Sequence, residues 1–461
     1  MTVSLVMPQS IAEELEGVAR QDDETAGVLL ASIAVAPNGD VRILARDIRW
    51  VPESSYKRRA FNELIISSDG YVRALADAEK DASSCIWFHT HPGRAARPEP
   101  SSHDRLVDSQ IADVFRIRSG SPYYGALIFS PRDQGFAFTG HLQLDGEHPD
   151  RIERLWQVGD QCRLVRAFDS RQSPLPEIYD RNVRAFGQAI QESLADLTVG
   201  VVGCGGTGSV VAEQLVRLGV RHILLIDPDR LSGSNVTRVF GSTVADVGDA
   251  KVEVLSRHLA RIAPAMHSET AQAMVTSESA ARQLISCDVV FGCTDDNAGR
   301  LVLSRLATYL TTLVIDCGVL ISSNEKDQVT GINGRVTILS PGHACLVCRG
   351  RVDLARAGTE LLTPDERIRR VDEGYAPALN RTEPAVVAFT AMTASAAVAE
   401  LLERFIGYGP VPRPGEVLLR YHDREISTNT SRPREGHYCD PTSKKQGRGA
   451  TIPFLEQTWP Q

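Results

Sequence analysis

The 461-residue chain carries no excess of positive charge: 50 lysines and arginines stand against 58 aspartates and glutamates, a formal net charge of −8. Nucleic-acid and anionic-membrane binders need a basic field, so neither partner class is expected beyond local patches. The first residues, MTVSLVMPQSIAEELEG, hold no basic segment followed by an apolar run, so no secretory leader is read there and a cytoplasmic location is expected. Long apolar runs are missing as well. The stretch nearest to one, AVVAFTAMTASAAVAELLERF at 385–405, carries Glu400 and Glu403 and reads as a buried helix of a globular domain. Cysteines are few and scattered, at positions 85, 162, 204, 287, 293, 317, 345, 348 and 439. An odd, dispersed set excludes the framework of a small disulfide-rich secreted domain and leaves reduced thiols, the clustered ones free to bind metal. There is no internal repeat and no low-complexity tract.

What is present points to two domains of α/β class. The length exceeds one ordinary core. Residues 1–148 read as an α+β domain, a mixed sheet with flanking helices: a hairpin in AGVLLASIAVAPNGDVRILARDIRWV, a helix in DGYVRALADAEK, a strand in SSCIWFHTH, and two more strands around PRDQG. Residues 149–176 read as a polar, helix-leaning linker broken by Pro174 and Pro176. From residue 177 to 461 the pattern becomes strand, glycine-rich turn, helix, strand, as in LTVGVVGCGGTGSVVAEQLVRLGVRHILLIDPD. That is the start of a Rossmann-like, doubly wound parallel sheet.

The stretch WFHTHPGRAARPEPSSHD, 87–104, sets two histidines on one face of a strand end, since strand side chains repeat every two residues. His89 and His91 can grip one ion, and Asp104 can bring a third ligand from across the loop. Three protein ligands leave a tetrahedral zinc one open position. Such a site also needs a carboxylate that takes a proton from water and returns it to a leaving amine; Glu24, heading ETAGVLLA, is the candidate. Ser101 can donate to a developing oxyanion. The order glutamate, H-x-H-P, P-S-x-x-D resembles the JAMM/MPN metalloprotease family, whose members are isopeptidases and peptidases acting on ubiquitin-like proteins. The resemblance implies His89, His91 and Asp104 as zinc ligands, Glu24 as general base and Ser101 as oxyanion donor. The loop between His91 and Ser101 is longer than the family's, which makes Ser102 the neighbouring alternative.

GCGGTGS follows a predicted strand and opens a helix with Val211, Leu215 and Leu218 on its inward side. Glycines let the backbone approach phosphate, and the helix N-terminus offers N–H groups to it. Asp227, 19 residues beyond Gly208, stands where an acid binds ribose. Up to this point a dehydrogenase fits equally. The succession of an asparagine, an arginine and a lysine after Asp227, and then CTDDNAGR, favours a triphosphate with its metal. The whole resembles the ThiF/MoeB-type adenylyltransferase of the ubiquitin-activating enzyme superfamily over about residues 177–440. By that resemblance Gly203, Gly205, Gly206 and Gly208 cradle ATP, and Asp227 holds the ribose. Asn235, Arg238 and Lys251 contact phosphates, Asp295 binds Mg2+, and Arg181 reaches into a partner subunit's site, implying a homodimer.

HACLVCRG supplies Cys345 and Cys348, and GHYCDP supplies His437 and Cys439, a Cys3His set for a structural Zn2+. Thioester-forming members of the family carry a cysteine in the crossover segment that follows; RGRVDLARAGTELLTPDERIRRVDEGYAPALNRTEP contains none, and Cys317 in VIDCGVL reads as core. Either the enzyme stops at the adenylate, or a sulfur donor or conjugating enzyme takes the acyl group. The expectation is a bifunctional enzyme that trims and activates the C-terminal glycine of one ubiquitin-like or sulfur-carrier protein. A non-turnover binding protein and an NAD-dependent oxidoreductase are the alternatives.

Overall fold

The structure is a computed structural model that describes residues 1–95, 97–144, 146–167, 176–326, 328–373, 384–449 and 451–460. The chain divides into two compact units, Met1–Pro174 with Gly447–Ala450, and Leu175–Gln446 with Thr451–Gln461.

The first unit runs β1 (Val3–Pro8), α1 (Gln9–Ala19), β2 (Ala26–Val35), β3 (Val41–Trp50), β4 (Tyr56–Ala60), β5 (Glu63–Ile66), α2 (Asp69–Asp81), β6 (Ser84–Thr90), α3 (Ser102–Ser119), β7 (Tyr123–Pro131), β8 (Phe136–Leu144), β9 (Asp150–Val158) and β10 (Arg163–Arg166). The large sheet has the order β1-β3-β2-β6-β7-β8-β9-β10, and β9 also pairs in parallel with β1, so the sheet curls into a barrel-like closure. Both faces of its central strands are covered. Ile86 and Phe88 of β6 belong to the core that includes α1, and Cys85 and Trp87 to the one beneath α2 and α3. Burial on both sides is why β6 reads as an unbroken apolar run rather than as an alternation.

The linker reading fails over 150–166. These residues form β9 and β10, with Leu155, Trp156 and Val158 fully buried. The pairing that holds β9 is with β1, nearly 150 residues earlier, and no local pattern signals it. Pro174 lies outside the described residues; Pro176 precedes a short 3-10 turn, Glu177–Tyr179.

The second unit begins with α4 (Asp180–Phe186) and α5 (Gln188–Asp196). It continues β11 (Thr198–Val202), α6 (Gly208–Arg217), β12 (His222–Ile226), α7 (Lys251–Ile262), β13 (His267–Ala271), α8 (Glu278–Gln283), β14 (Val289–Gly292), α9 (Asn297–Tyr309), β15 (Leu313–Ser323) and β16 (Val329–Leu339). Three helices follow, α10 (Leu354–Glu360), α11 (Pro364–Asp372) and α12 (Val387–Ile406), and then β17 (Glu416–Arg420) and β18 (Glu425–Asn429). The sheet order is β13-β12-β11-β14-β15-β16-β17-β18, parallel from β13 to β15 and antiparallel beyond. The strand order reverses at β11, and in such sheets the crevice at the strands' carboxyl ends takes the ligand. The stretch 385–405 contributes α12, whose inward residues include Ala394, Ala397, Val398 and Leu401. Among the described residues no helix is long and apolar enough to cross a membrane.

Candidate active sites

In the first unit, His89 closes β6 on the face that Cys85 and Trp87 share, and His91 keeps the extended course because its N–H donates to the Phe129 carbonyl of β7 at 2.8 Å. The two Nε2 atoms lie 3.1 Å apart. Asp104 reaches them from α3: Oδ1 is 3.4 Å from His89 Nε2 and Oδ2 is 3.7 Å from His91 Nε2. Ligand atoms held about 2.0–2.1 Å from a tetrahedral zinc stand about 3.3 Å from one another, so the three separations fit such an ion. The P-S-x-x-D spacing has a local cause. Ser101 is the N-cap of α3, its Oγ accepting from Asp104 N at 3.1 Å while Asp104 Oδ2 accepts from Ser101 N at 2.7 Å. This capping box fixes the carboxylate that faces the histidines.

Glu24 precedes β2 and is pinned through its backbone: its N–H donates to the Ala60 carbonyl at 3.1 Å and its carbonyl accepts from Arg59 Nε at 2.9 Å. Its Oε1 lies 4.0 Å from His91 Nε2, beside the trio. Burial pushes the Glu24 carboxyl up to about 7, with the nearby His91 opposing. Burial also acts to raise Asp104, but hydrogen bonds and charge from His89 and His91 outweigh it and hold that carboxyl far below the usual range. The cluster opens on a 630 Å³ cleft whose walls include Tyr71, Trp87 and Ile111. One helical turn beyond Asp104, Asp108 also lines this cleft and binds the Tyr124 hydroxyl at 2.5 Å and His141 Nε2 at 3.3 Å. The four-residue spacing of the two aspartates on α3 was the available signal for that pair.

In the second unit the glycines differ in what forces them. Gly203 has φ +91°, and a Cβ there would lie 2.7 Å from the Cys293 carbonyl carbon. A Cβ on Gly208 would fall 1.8 Å from the Gly203 carbonyl oxygen. Gly206 faces Arg238, whose Cδ would be 3.2 Å from a Cβ, while a Cβ on Gly205 would meet nothing within 4 Å. Asp227, buried at the end of β12, is tied to this turn: Oδ2 accepts from Cys204 N at 2.7 Å and Oδ1 from Asp229 N at 2.8 Å. Burial raises its carboxyl above the ordinary value, partly countered by Lys251, whose Nζ is 3.9 Å away. The Lys251 ammonium also meets Asp229 at 2.7 Å, a partner absent from the sequence expectations. Asn235 is buried in a 3-10 turn, its Oδ1 accepting from Ser232 N at 3.1 Å, and Arg238 Nη1 donates to the Ser234 carbonyl at 3.0 Å.

Asp295 is exposed in the loop between β14 and α9, at the carboxyl end of the parallel strands. The next residue, Asp296, caps α9 through Gly299 N. Glu360 of α10 takes a second amide of that first turn, Ala298 N, at 2.8 Å. Neither cap was among the expected site residues, although D-x-x-G at a strand-to-helix junction is a cap pattern. Arg181 is exposed on α4, and no contact joins it to the glycine turn among the described residues.

Cys345, Cys348, His437 and Cys439 converge, with Cys345 Sγ 3.6 Å from His437 Nδ1, Cys348 Sγ 3.6 Å from Cys439 Sγ, and His437 Nδ1 3.3 Å from Cys439 Sγ. A tetrahedral zinc with bonds of about 2.0–2.3 Å requires edges of this size. Cys345, accepting from the Cys439 thiol, is drawn down to about 5, toward the thiolate that a metal needs. Cys439→Ala is expected to remove one zinc equivalent per chain by elemental analysis and to lower the thermal midpoint by about 10 °C. Unchanged zinc content in that variant would contradict the site. Cys317 is buried on β15, as core. Within the cysteine-free crossover segment, residues 374–383 lie outside the described residues.

Comparisons with known proteins bear on the second unit. The ThiF family model matches residues 179–439. The ubiquitin-like modifier-activating enzyme 5 of Drosophila virilis is 30% identical over 170 residues, 34% of this chain and 40% of that protein. The tRNA threonylcarbamoyladenosine dehydratase of Bacillus subtilis is 41% identical over 86 residues, 19% of this chain and 34% of that protein. The chain thus spans about half the length, or less, of the curated relatives it matches. Among solved structures, E. coli MccB with ATP aligns with a TM-score of 0.44 and 17% identity, over 56% of this chain and 73% of that one. The family match takes in more than half of the 461 residues and includes the glycine turn, Asp227, Arg238, Lys251 and Asp295: the chain belongs to the ThiF family.

Proposed function

We propose that the ThiF unit uses ATP to adenylate the C-terminal carboxylate of a ubiquitin-like or sulfur-carrier protein, and that the N-terminal unit is a JAMM/MPN-type isopeptidase acting on the same tail. The observation that carries the first half is Asp227, locked by two backbone amides beside a turn whose glycines admit no side chain at 203 and 208, within a ThiF family chain. Asp227 holds the ribose. The glycine turn and the first amides of α6 receive the phosphates, and Arg238 and Lys251 neutralise them. A magnesium ion at Asp295 would add to that neutralisation. The tail's carboxylate oxygen attacks the α-phosphate; the new P–O bond forms as the bond to the β-phosphate bridging oxygen breaks, and pyrophosphate leaves. Arg181 of a second copy completes the site in a homodimer. With no cysteine in the crossover segment, the acyl group passes to an external sulfur donor or conjugating enzyme.

For the second half, a zinc ion at His89, His91 and Asp104 would supply Lewis acidity that polarises a carbonyl and acidifies water. Glu24, buried and backbone-pinned, takes the water's proton and returns it to the leaving amine. The Ser101 hydroxyl accepts from Asp104 N, which leaves its own proton to donate toward an oxyanion. One chain bearing both activities raises the effective concentration of a shared partner for each. Cys345, Cys348, His437 and Cys439 would hold a second zinc ion, whose part would be structural.

The Drosophila relative's name supports a protein substrate. The Bacillus relative's name favours a second reading, a carboxylate on a tRNA nucleoside, against which the acidic balance of the chain weighs. ATP–pyrophosphate exchange tests the first reading. With a ubiquitin-like protein ending in glycine the unaltered chain exchanges label, and Asp295→Ala lowers the rate by about 10²–10³-fold. Exchange absent from the unaltered chain, or equal in the variant, would remove the activating role, for a non-turnover binder as for an oxidoreductase.

A further inference from the structure

We infer that Arg300 is the carboxylate-reading residue of the ThiF unit: its guanidinium takes the terminal carboxylate of the incoming chain, an inference that rests on the adenylation reading above. Arg300 lies in the first turn of α9, five residues after Asp295, and its side chain is 16% exposed. Its Nε sits 3.5 Å from Asp316 Oδ1 without an aligned hydrogen bond, and its terminal nitrogens make none among the described residues. Nε is buried without a hydrogen bond, whereas the terminal nitrogens reach the surface with no protein partner, which leaves them open to a ligand.

The surroundings say where the ligand comes from. Asp316, fully buried on β15, already has a better partner in Arg335, whose Nη2 is 2.6 Å from Oδ2, so Arg300 is oriented by the acid rather than consumed by it. The residue in front of the fork is Gly318; a Cβ there would lie 3.6 Å from Arg300 Nη2 and 3.1 Å from Arg335 Nη2, so the missing side chain keeps the approach open. The register Val202↔Gly292↔Asp316 puts this point two strand spacings, about 9–10 Å, along the sheet from the strand that feeds the glycine turn. The phosphates have α6 and Arg238 at that turn. An anion to the side of it, at the start of the helix that follows Asp295 in the chain, is the attacking partner, and a planar fork suits a planar carboxylate.

The test uses the full chain and two probes, N-acetylglycylglycine and its C-terminal amide, titrated with and without a non-hydrolysable ATP analogue, whose own affinity is measured in parallel. The unaltered chain should prefer the acid by about tenfold. Arg300→Gln should abolish the preference, and Arg300→Lys should retain part of it, with analogue affinity and melting temperature unchanged in both. Asp316 keeps Arg335 in either variant, so the fold is not at stake. Acid and amide behaving alike in the unaltered chain, or Arg300→Gln weakening the ATP analogue instead of the acid, would overturn the assignment. Failure of the analogue to bind at all would sink the adenylation reading separately, while the acid preference would still be read from the nucleotide-free titration.

Discussion

Gly208→Ala is expected to lower ATP affinity by at least about 100-fold, some 2.7 kcal/mol, and to lower the melting temperature with it. The added methyl would fall 1.8 Å from the Gly203 carbonyl oxygen, a backbone atom that cannot rotate away. Either the first turn of α6 or the turn before it must move, and the amides that receive the phosphates move with it. Gly205→Ala separates the two effects. Its methyl meets nothing within 4 Å, so the variant should melt with the unaltered chain, and any change in its ATP affinity reports contact with the nucleotide alone. Calorimetric titration and thermal melting of both variants check this; a Gly208→Ala protein that melts and binds ATP like its parent would contradict the close-approach account.

Glu24→Gln is expected to slow cleavage of a tail-extended ubiquitin-like protein by about 10²–10⁴-fold while zinc content stays the same. Glutamine keeps the volume and the backbone ties to Ala60 and Arg59 but can no longer accept a proton. The carboxylate stands beside the His89, His91 and Asp104 cluster and outside the set of three whose separations fit an ion, so its loss removes chemistry rather than metal. His89→Ala, in contrast, should lose the metal and the activity together. Cleavage unaffected by Glu24→Gln, or zinc lost with it, would place Glu24 in another role.

Legibility in the sequence followed the range of the physical cause. His89 and His91 could be paired from the two-residue period of a strand, a cause that acts within a few residues; Ser101 and Asp104 entered through the family resemblance, and the capping box that joins them emerged only in the structure. The glycine turn and Asp227 are likewise one strand–helix–strand unit. Strand β9 was misread because ERLWQV mixes charged and apolar residues in a way that suits either period, and its decisive partner, β1, lies at the other end of the unit. The Arg300 fork escaped for the same reason: Asp316, Gly318 and Arg335 meet it only through the pairing of β14, β15 and β16. The Lys251–Asp229 contact and the Glu360 cap on α9 are also products of packing between separate segments, and no spacing announces them.

Parallel calorimetric titrations of the unaltered chain with ATP and with NAD, each with and without Mg2+, bear most directly on the account. Saturable, Mg2+-dependent binding of ATP at one site per chain and no binding of NAD are expected; saturable NAD binding with none for ATP would contradict the adenylating role.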